Sequence, residues 1–309
     1  MDESSFSIPL HTPSPTTIFK FFTYHIYTIY LFSCNNILDI IIPGILFGSL
    51  NASIASKLSL GDDLSVFEIA KSIPKMLLWA WSNLLFFNLS NQRHSIEEDT
   101  LNKPWRPLPS GRLNQFQANM FFYCMYPAIA FISLTVGGLL PSLMVIILSF
   151  LYDNNNAASN PLLKNLINGV GIVSLFTGPL EVATRSSILE AKPGAIVWIG
   201  ILMATIATTS HIQDLRDMDG DRAAGRSTVP IAIGAINSRF IGAFGILGWT
   251  AIACYLWNAR GPGVVISIGT GVAMASSLVL YRNKAGDVFT WKLFPLWMVG
   301  LFLVPVLSV

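Results

Sequence analysis

Two short stretches of this chain concentrate acidic side chains. They read Asn88-Leu-Ser-Asn91-Gln92-Arg-His-Ser95-Ile-Glu97-Glu98-Asp99 and His211-Ile-Gln-Asp214-Leu-Arg-Asp217-Met-Asp219-Gly-Asp221-Arg222. At about 100° per helical residue, Asp214, Asp217 and Asp221 fall within roughly 60° of one another and share a face. Asp219 points about 140° away from Asp214, so a pairing with Arg216, Arg222 or water is expected for it. In the first stretch the i, i+4, i+8 spacing of Asn91, Ser95 and Asp99 keeps them within about 80° of arc, with Glu98 at its edge and Glu97 outside. Like charges so concentrated repel and call for a cationic partner, and an all-oxygen donor set points to Mg2+. The expected metal ligands are Asn91, Ser95, Glu98, Asp99, Asp214, Asp217 and Asp221. Asp99, Asp217 and Asp221 are expected to carry catalysis. His211 stands either as the terminating proton acceptor or as a partner of the aspartates. The competing reading is a pair of solvated helix ends, with Asn91 and Ser95 bonding back to the backbone.

Cations follow at once, in Asn102-Lys103-Pro104-Trp105-Arg106-Pro107-Leu108-Pro109-Ser110-Gly111-Arg112. Three prolines stiffen this loop, and Lys103 offers a point charge where Arg106 offers a bidentate fork. With Lys164, and with Gln92 about 100° around the helix from Asn91, they form the expected diphosphate-binding set. Lipid head groups are the alternative partners of the two loop cations.

The elements that must position these groups belong to a membrane. The chain has 309 residues, 52% of them hydrophobic and 12% charged, where an average soluble domain carries roughly 25% charged. Nineteen basic and 17 acidic side chains give a net charge of +2, and no basic run interleaved with aromatics suggests nucleic acid. No obligate protein partner is evident; the expected partners are the bilayer and the substrate. Cys34, Cys124 and Cys254 lie singly in apolar stretches and are read as packing residues. Nine stretches are candidate spans: Ile37 to Ser53, Val66 to Leu89, Gln115 to Gly137, Leu139 to Leu151, Leu162 to Val182, Ala195 to Ile212, Ser238 to Trp257, Val264 to Tyr281 and Trp291 to Leu307. The expected fold is all-α, a polytopic bundle of about nine transmembrane helices over residues 34–309. An interfacial amphipathic helix over 16–33 and a polar tail over 1–15, without signal-peptide features, precede it. Most lysines and arginines fall on one side if the N-terminus is cytoplasmic, which puts both acidic stretches on the cytoplasmic face. In a eukaryote the endoplasmic reticulum is the expected membrane. Glu181 and Arg185, one turn apart, are expected to form an ion pair at the far end. Carboxylates at helix ends, away from the midplane, argue against a transporter.

At these residues the chain resembles the UbiA superfamily of intramembrane prenyltransferases, over roughly residues 30–309. The family's second signature, DxxDxxxD, is intact as Asp214, Asp217 and Asp221 and runs on into Gly225-Arg226-Ser227-Thr228-Val229-Pro230. Its first, NDxxDxxxD, keeps Asn91 and Asp99 and the later Lys103-Pro104 and Arg106-Pro107, but has Gln92 and Ser95 at the two intermediate aspartates. The pattern Asn91, Ser95, Asp99 is similar to the Asn-Ser-Glu magnesium triad of class I terpene synthases, and the run as a whole to UbiA-type terpene cyclases. The resemblance implies an Mg2+-dependent membrane enzyme of terpenoid secondary metabolism. It would ionise a C15 or C20 prenyl diphosphate and cyclise it to a hydrocarbon. Transfer of the prenyl chain to an aromatic or other small acceptor is the alternative. Trp79, Trp81, Phe86 and Phe87, one to three turns before Asn91, are the candidates for holding a cation.

Overall fold

The computed structural model describes residues 15–154, 160–223 and 225–308, so all but the last residue of the expected polar tail lies outside the description. Every element among the described residues is helical. Helix α1 (Pro15–Ser33) runs through a 3-10 turn (Cys34–Asn36) and a π turn (Ile37–Ile41) into α2 (Ile42–Ala52). The expected interfacial helix is thus continuous with the first span, and Phe19–Ala52 is long and apolar enough to cross a membrane. A short α3 (Ala55–Leu58) leads to α4 (Val66–His94), α5 (Ile96–Asn102), α6 (Gln115–Val136), α7 (Leu139–Asn154) and α8 (Pro161–Thr184). Then come α9 (Pro193–Thr209), α10 (Asp214–Ala223), α11 (Val229–Ile233), α12 (Ala235–Leu256), α13 (Pro262–Leu280) and α14 (Lys284–Leu307).

Local chemistry sets these boundaries. Ser65 and Glu68 form a capping box at the start of α4, as Asn114 and Gln117 do for α6, each satisfying backbone donors that the first turn leaves free. The Asn160 side chain caps α8, with Pro161 at its first position.

Seven helical stretches among the described residues are long and apolar enough to span a bilayer, against the nine stretches read from the sequence. The two that differ do so for separate reasons. Helix α4 has 29 residues but carries the polar run that ends at His94, whereas α7 is apolar but short. Helix α8 forms the centre: 78% of its most apolar window is buried, against 22% for α6, which faces outward. Gly44 and Gly48 let α2 lie on the α8 backbone, since a Cβ on Gly48 would collide with Pro179. Trp79 plugs the same core, fully buried, with its indole donating to the Gly138 carbonyl at 3.1 Å.

Two packing expectations are corrected. Cys124 is exposed on the outward-facing α6 and so meets the lipid side instead of the core. Glu181 and Arg185 do not pair. Arg185 closes α8 in a left-handed conformation (φ 63°) that turns its side chain toward the Thr135 carbonyl, while Glu181 Oε1 accepts from the Ile188 amide at 2.7 Å.

Candidate active site

Helix α4 stops at His94, Ser95 leaves helical geometry (φ −117°, ψ 24°), and α5 restarts at Ile96. The arc drawn through Asn91, Ser95 and Asp99 on one unbroken helix is therefore interrupted. The other acidic stretch is a continuous helix, α10, entered from α9 through a 3-10 turn at Ser210–Gln213. Helices α5 and α10 lie against each other, and the Asn102 side chain rests on Gly220, where a Cβ would displace its amide.

Between them opens a cavity of about 160 Å³. Asn91, Glu98, Lys103, Arg106, Lys164, Asp214, Asp217 and Asp221 line it, as does Arg226. Further into the bundle the wall turns apolar, with Phe87, Leu148, Ile172 and Leu175. Lys164 and Leu175 are eleven residues apart on α8, about 16 Å of helix. One cavity thus has a charged mouth and a hydrocarbon floor.

In the mouth all the carboxylates but Asp221 stand paired with cations. Lys164 Nζ lies 2.8 Å from Asp214 Oδ1, both side chains buried. Arg106 Nη1 donates to both Asp99 oxygens at 2.7 Å. Arg226 forms a close ion pair with Glu98 and donates to Ser95 Oγ at 3.2 Å. Asp217 sits 3.9 Å from Lys103 and 3.7 Å from Arg216. Burial, reinforced by the neighbouring Arg106, holds the Lys103 ammonium below the ordinary lysine value, while Asp217, Asp99 and Glu98 act in the opposite direction. Asp219 points outward and pairs at 3.7 Å with Arg222, as its helical angle predicts.

Four of the expected site residues do not reach the wall. The Gln92 amide donates to the Phe32 carbonyl at 3.0 Å, tying α4 to α1. Ser95 Oγ donates back to the Asn91 carbonyl at 3.1 Å, and Asp99 is spent on Arg106. His211 lies 3.1 Å from the Ser238 carbonyl, away from the cavity. Of the four aromatic candidates only Phe87 lines it.

Other lining residues carried no assigned role in the sequence. Tyr152 joins Phe87, the ring centroids 6.2 Å apart. Asn88, one turn inward from Asn91, and Asn168, one turn along α8 from Lys164, add carboxamides. Asn35 and Asn36 reach the wall from the 3-10 turn that joins α1 to the π turn. Arg226 had a visible signal, a cation just beyond Asp221. Gly225 (φ 66°) turns the chain back so that the Arg226 amide bonds the Asp221 carbonyl at 2.9 Å and its guanidinium enters the mouth.

Among the described residues no three His, Cys, Asp or Glu side chains gather closely enough to hold a metal as they stand; Glu98, Asp99, Asp214 and Asp217 have each turned to a cation. The donor set nevertheless fits magnesium. Asp214 Oδ2 and Asp221 Oδ2 are buried without a hydrogen-bond partner, and unpaired carboxylate oxygens at such burial suit a hard divalent cation.

A helical membrane bundle with a charged mouth over a hydrocarbon pocket is built to take an amphiphile with an anionic head. The comparisons give that class a family. The model of the UbiA prenyltransferase family matches residues 69–304. The chain is 32% identical over 238 residues to somaliensene A/B synthase of Streptomyces somaliensis, covering 74% of this chain and 78% of that one. It is 26% identical over 283 residues to fumagillin beta-trans-bergamotene synthase of Aspergillus fumigatus, covering 90% and 91%. The solved structure of a UbiA homolog from Archaeoglobus fulgidus bound to GPP and Mg2+ superposes with a TM-score of 0.59 at 13% identity, over 86% of this chain and 98% of that one. The chain belongs to the UbiA prenyltransferase family. It is an integral-membrane enzyme of prenyl diphosphate chemistry, similar to members named for terpene synthesis.

Proposed function

We propose that this protein cyclises a prenyl diphosphate of C15 or C20 length to a terpene hydrocarbon, with Mg2+ and without an acceptor, and releases diphosphate. The observation that carries this is one continuous cavity whose charged mouth gives way, within about 16 Å along α8, to an apolar wall. The similarity to somaliensene and bergamotene synthases supports cyclisation over transfer.

Asp214, Asp217 and Asp221, with Glu98 and Asn91 opposite, would hold the metal. When bound it neutralises the diphosphate and makes it a better leaving group. Lys103, Lys164 and Arg226 exchange their carboxylate partners for phosphate oxygens, so the ion pairs seen here keep each cation in reach of the substrate. Asp99 orients the Arg106 fork. C1–O cleavage leaves an allylic cation facing Phe87 and Tyr152, whose ring faces attract it. The apolar wall excludes water that would quench it. With His211 turned to Ser238, the released diphosphate is the base within reach of the final proton. We place the mouth on the cytoplasmic face, in a eukaryotic host that of the endoplasmic reticulum, from the distribution of lysine and arginine.

Gas chromatography of the organic extract tests the proposal, using C10, C15 and C20 diphosphates with and without phenolic acceptors. A cyclic hydrocarbon formed from the diphosphate alone, and abolished by EDTA, is expected. Product found only with an acceptor, and carrying its mass, would establish prenyl transfer instead.

A further inference from the structure

Asn88 carries polarity that the fold does not use. It lies on α4 three residues before Asn91, lines the cavity, and is only 4% exposed. Its Nδ2 is buried with no hydrogen-bond partner. Two other buried asparagines of the bundle show what a structural role looks like: Asn51 donates to the Phe47 carbonyl at 2.9 Å and Asn83 to the Trp79 carbonyl at 3.0 Å. An unpaired buried amide costs about 1–3 kcal/mol, and a leucine of similar size would avoid that cost. As it stands that donor has neither a protein partner nor an open surface, and a turn of the carboxamide offers it to something that enters the cavity.

The position identifies the group it meets. Asn88 sits about 4.5 Å deeper than Asn91 along the helix, and Phe87 beside it begins the apolar wall. A prenyl diphosphate accepts hydrogen bonds only through its phosphate end, and its chain offers none. A donor at the boundary between charged mouth and hydrocarbon floor thus faces the innermost oxygen of the head, the one bonded to C1.

We infer that Asn88 is a catalytic residue that donates its amide N–H to the oxygen bridging C1 and the α-phosphorus, an assignment that rests on the function proposed above. On ionisation the C1–O bond breaks heterolytically and both electrons leave with that oxygen. The allylic cation stays behind, and Asn88 keeps its proton. The hydrogen bond strengthens as charge builds on the oxygen, so it lowers the barrier. A carboxamide suits this place better than lysine or arginine, because a neutral donor does not repel the cation forming beside it.

The test compares purified wild type, Asn88→Leu and Asn88→Ser in detergent with Mg2+ and C15 or C20 diphosphate. It follows diphosphate release, extracted products and the thermal midpoint. Asn88→Leu should lower kcat at least about tenfold while leaving the midpoint unchanged or raised, since an unpaired amide has been replaced by an apolar group. Asn88→Ser, which keeps a small donor, should recover part of the rate. Wild-type turnover in Asn88→Leu would overturn the inference. A midpoint that falls together with the rate in both variants would overturn it in favour of a structural role. A change of the product formed at an unchanged rate would overturn it by assigning the amide to the folding of the chain. If wild type itself releases no diphosphate from any prenyl diphosphate, the proposed function fails, and this inference with it.

Discussion

The two acidic stretches look alike in sequence but present their side chains differently. On α10 the helix is unbroken, and Asp214, Asp217 and Asp221 all line the cavity, as a spacing of three and four residues requires. Between α4 and α5 the helix breaks at Ser95, so Asn91 and Glu98 face the cavity while Ser95 and Asp99 turn to Arg226 and Arg106. Similar helical spacing thus produces one row of cavity-facing carboxylates in one place and, in the other, a mixture of cavity-facing side chains and cation partners. The break also rotates Glu98, marginal on a continuous arc, onto the wall.

Substitutions can sharpen or break this contrast. The largest effect is expected on α10, where Asp221→Ala and Asp214→Asn should each reduce diphosphate release at least about a hundredfold, as for loss of a group worth about 3 kcal/mol in charge stabilisation. Asp99→Asn should cost less, about tenfold and mainly in KM, because Asp99 acts by aiming Arg106; steady-state kinetics separates the two cases. Ser95→Ala should lower kcat/KM only a few-fold, since Ser95 Oγ bonds a backbone carbonyl and a guanidinium. A Ser95→Ala loss as severe as that of Asp214→Asn would restore Ser95 as a metal ligand and erase the contrast. Asp219→Ala should be nearly neutral, within about 0.5 kcal/mol in stability and unchanged in rate, because its side chain is 82% exposed. A large Asp219 effect would show that the cavity-facing side of α10 is misassigned.

Much of this arrangement was legible in the sequence wherever one helix carried the whole pattern. The angular positions of Asp214, Asp217, Asp219 and Asp221 needed only 100° per residue. Most spans followed from runs of apolar residues, but α4 mixes a buried polar run into its length and α7 is cut short, so hydropathy and length do not treat them alike. What depended on a backbone departure was hidden. The stop at Ser95 is not announced by a proline or glycine at the break, whereas the π turn below Asn35 and Asn36 is followed by Pro43, which lacks the N–H that would bond the Asp39 carbonyl. The destination of Gln92, the Phe32 carbonyl, depends on how α1 lies against α4, and a single helix says nothing of that. The aromatic wall was overestimated for the same reason: Trp79 and Phe86 are buried in packing against other helices, and only Phe87 turns to the cavity.

The central claim is that one cavity holds the head between the two acidic elements and the chain along α8. A structure with Mg2+ and an unreactive thiolo analogue of farnesyl diphosphate tests it most directly. The phosphorus density should lie between Asp214, Asp217 and Asp221 on one side and Arg106, Lys164 and Arg226 on the other, with C1 beside Asn88 and the chain running past Phe87 toward Leu175. A diphosphate bound outside this mouth, or a chain lying on the lipid-facing surface of α6 or α12, would contradict it.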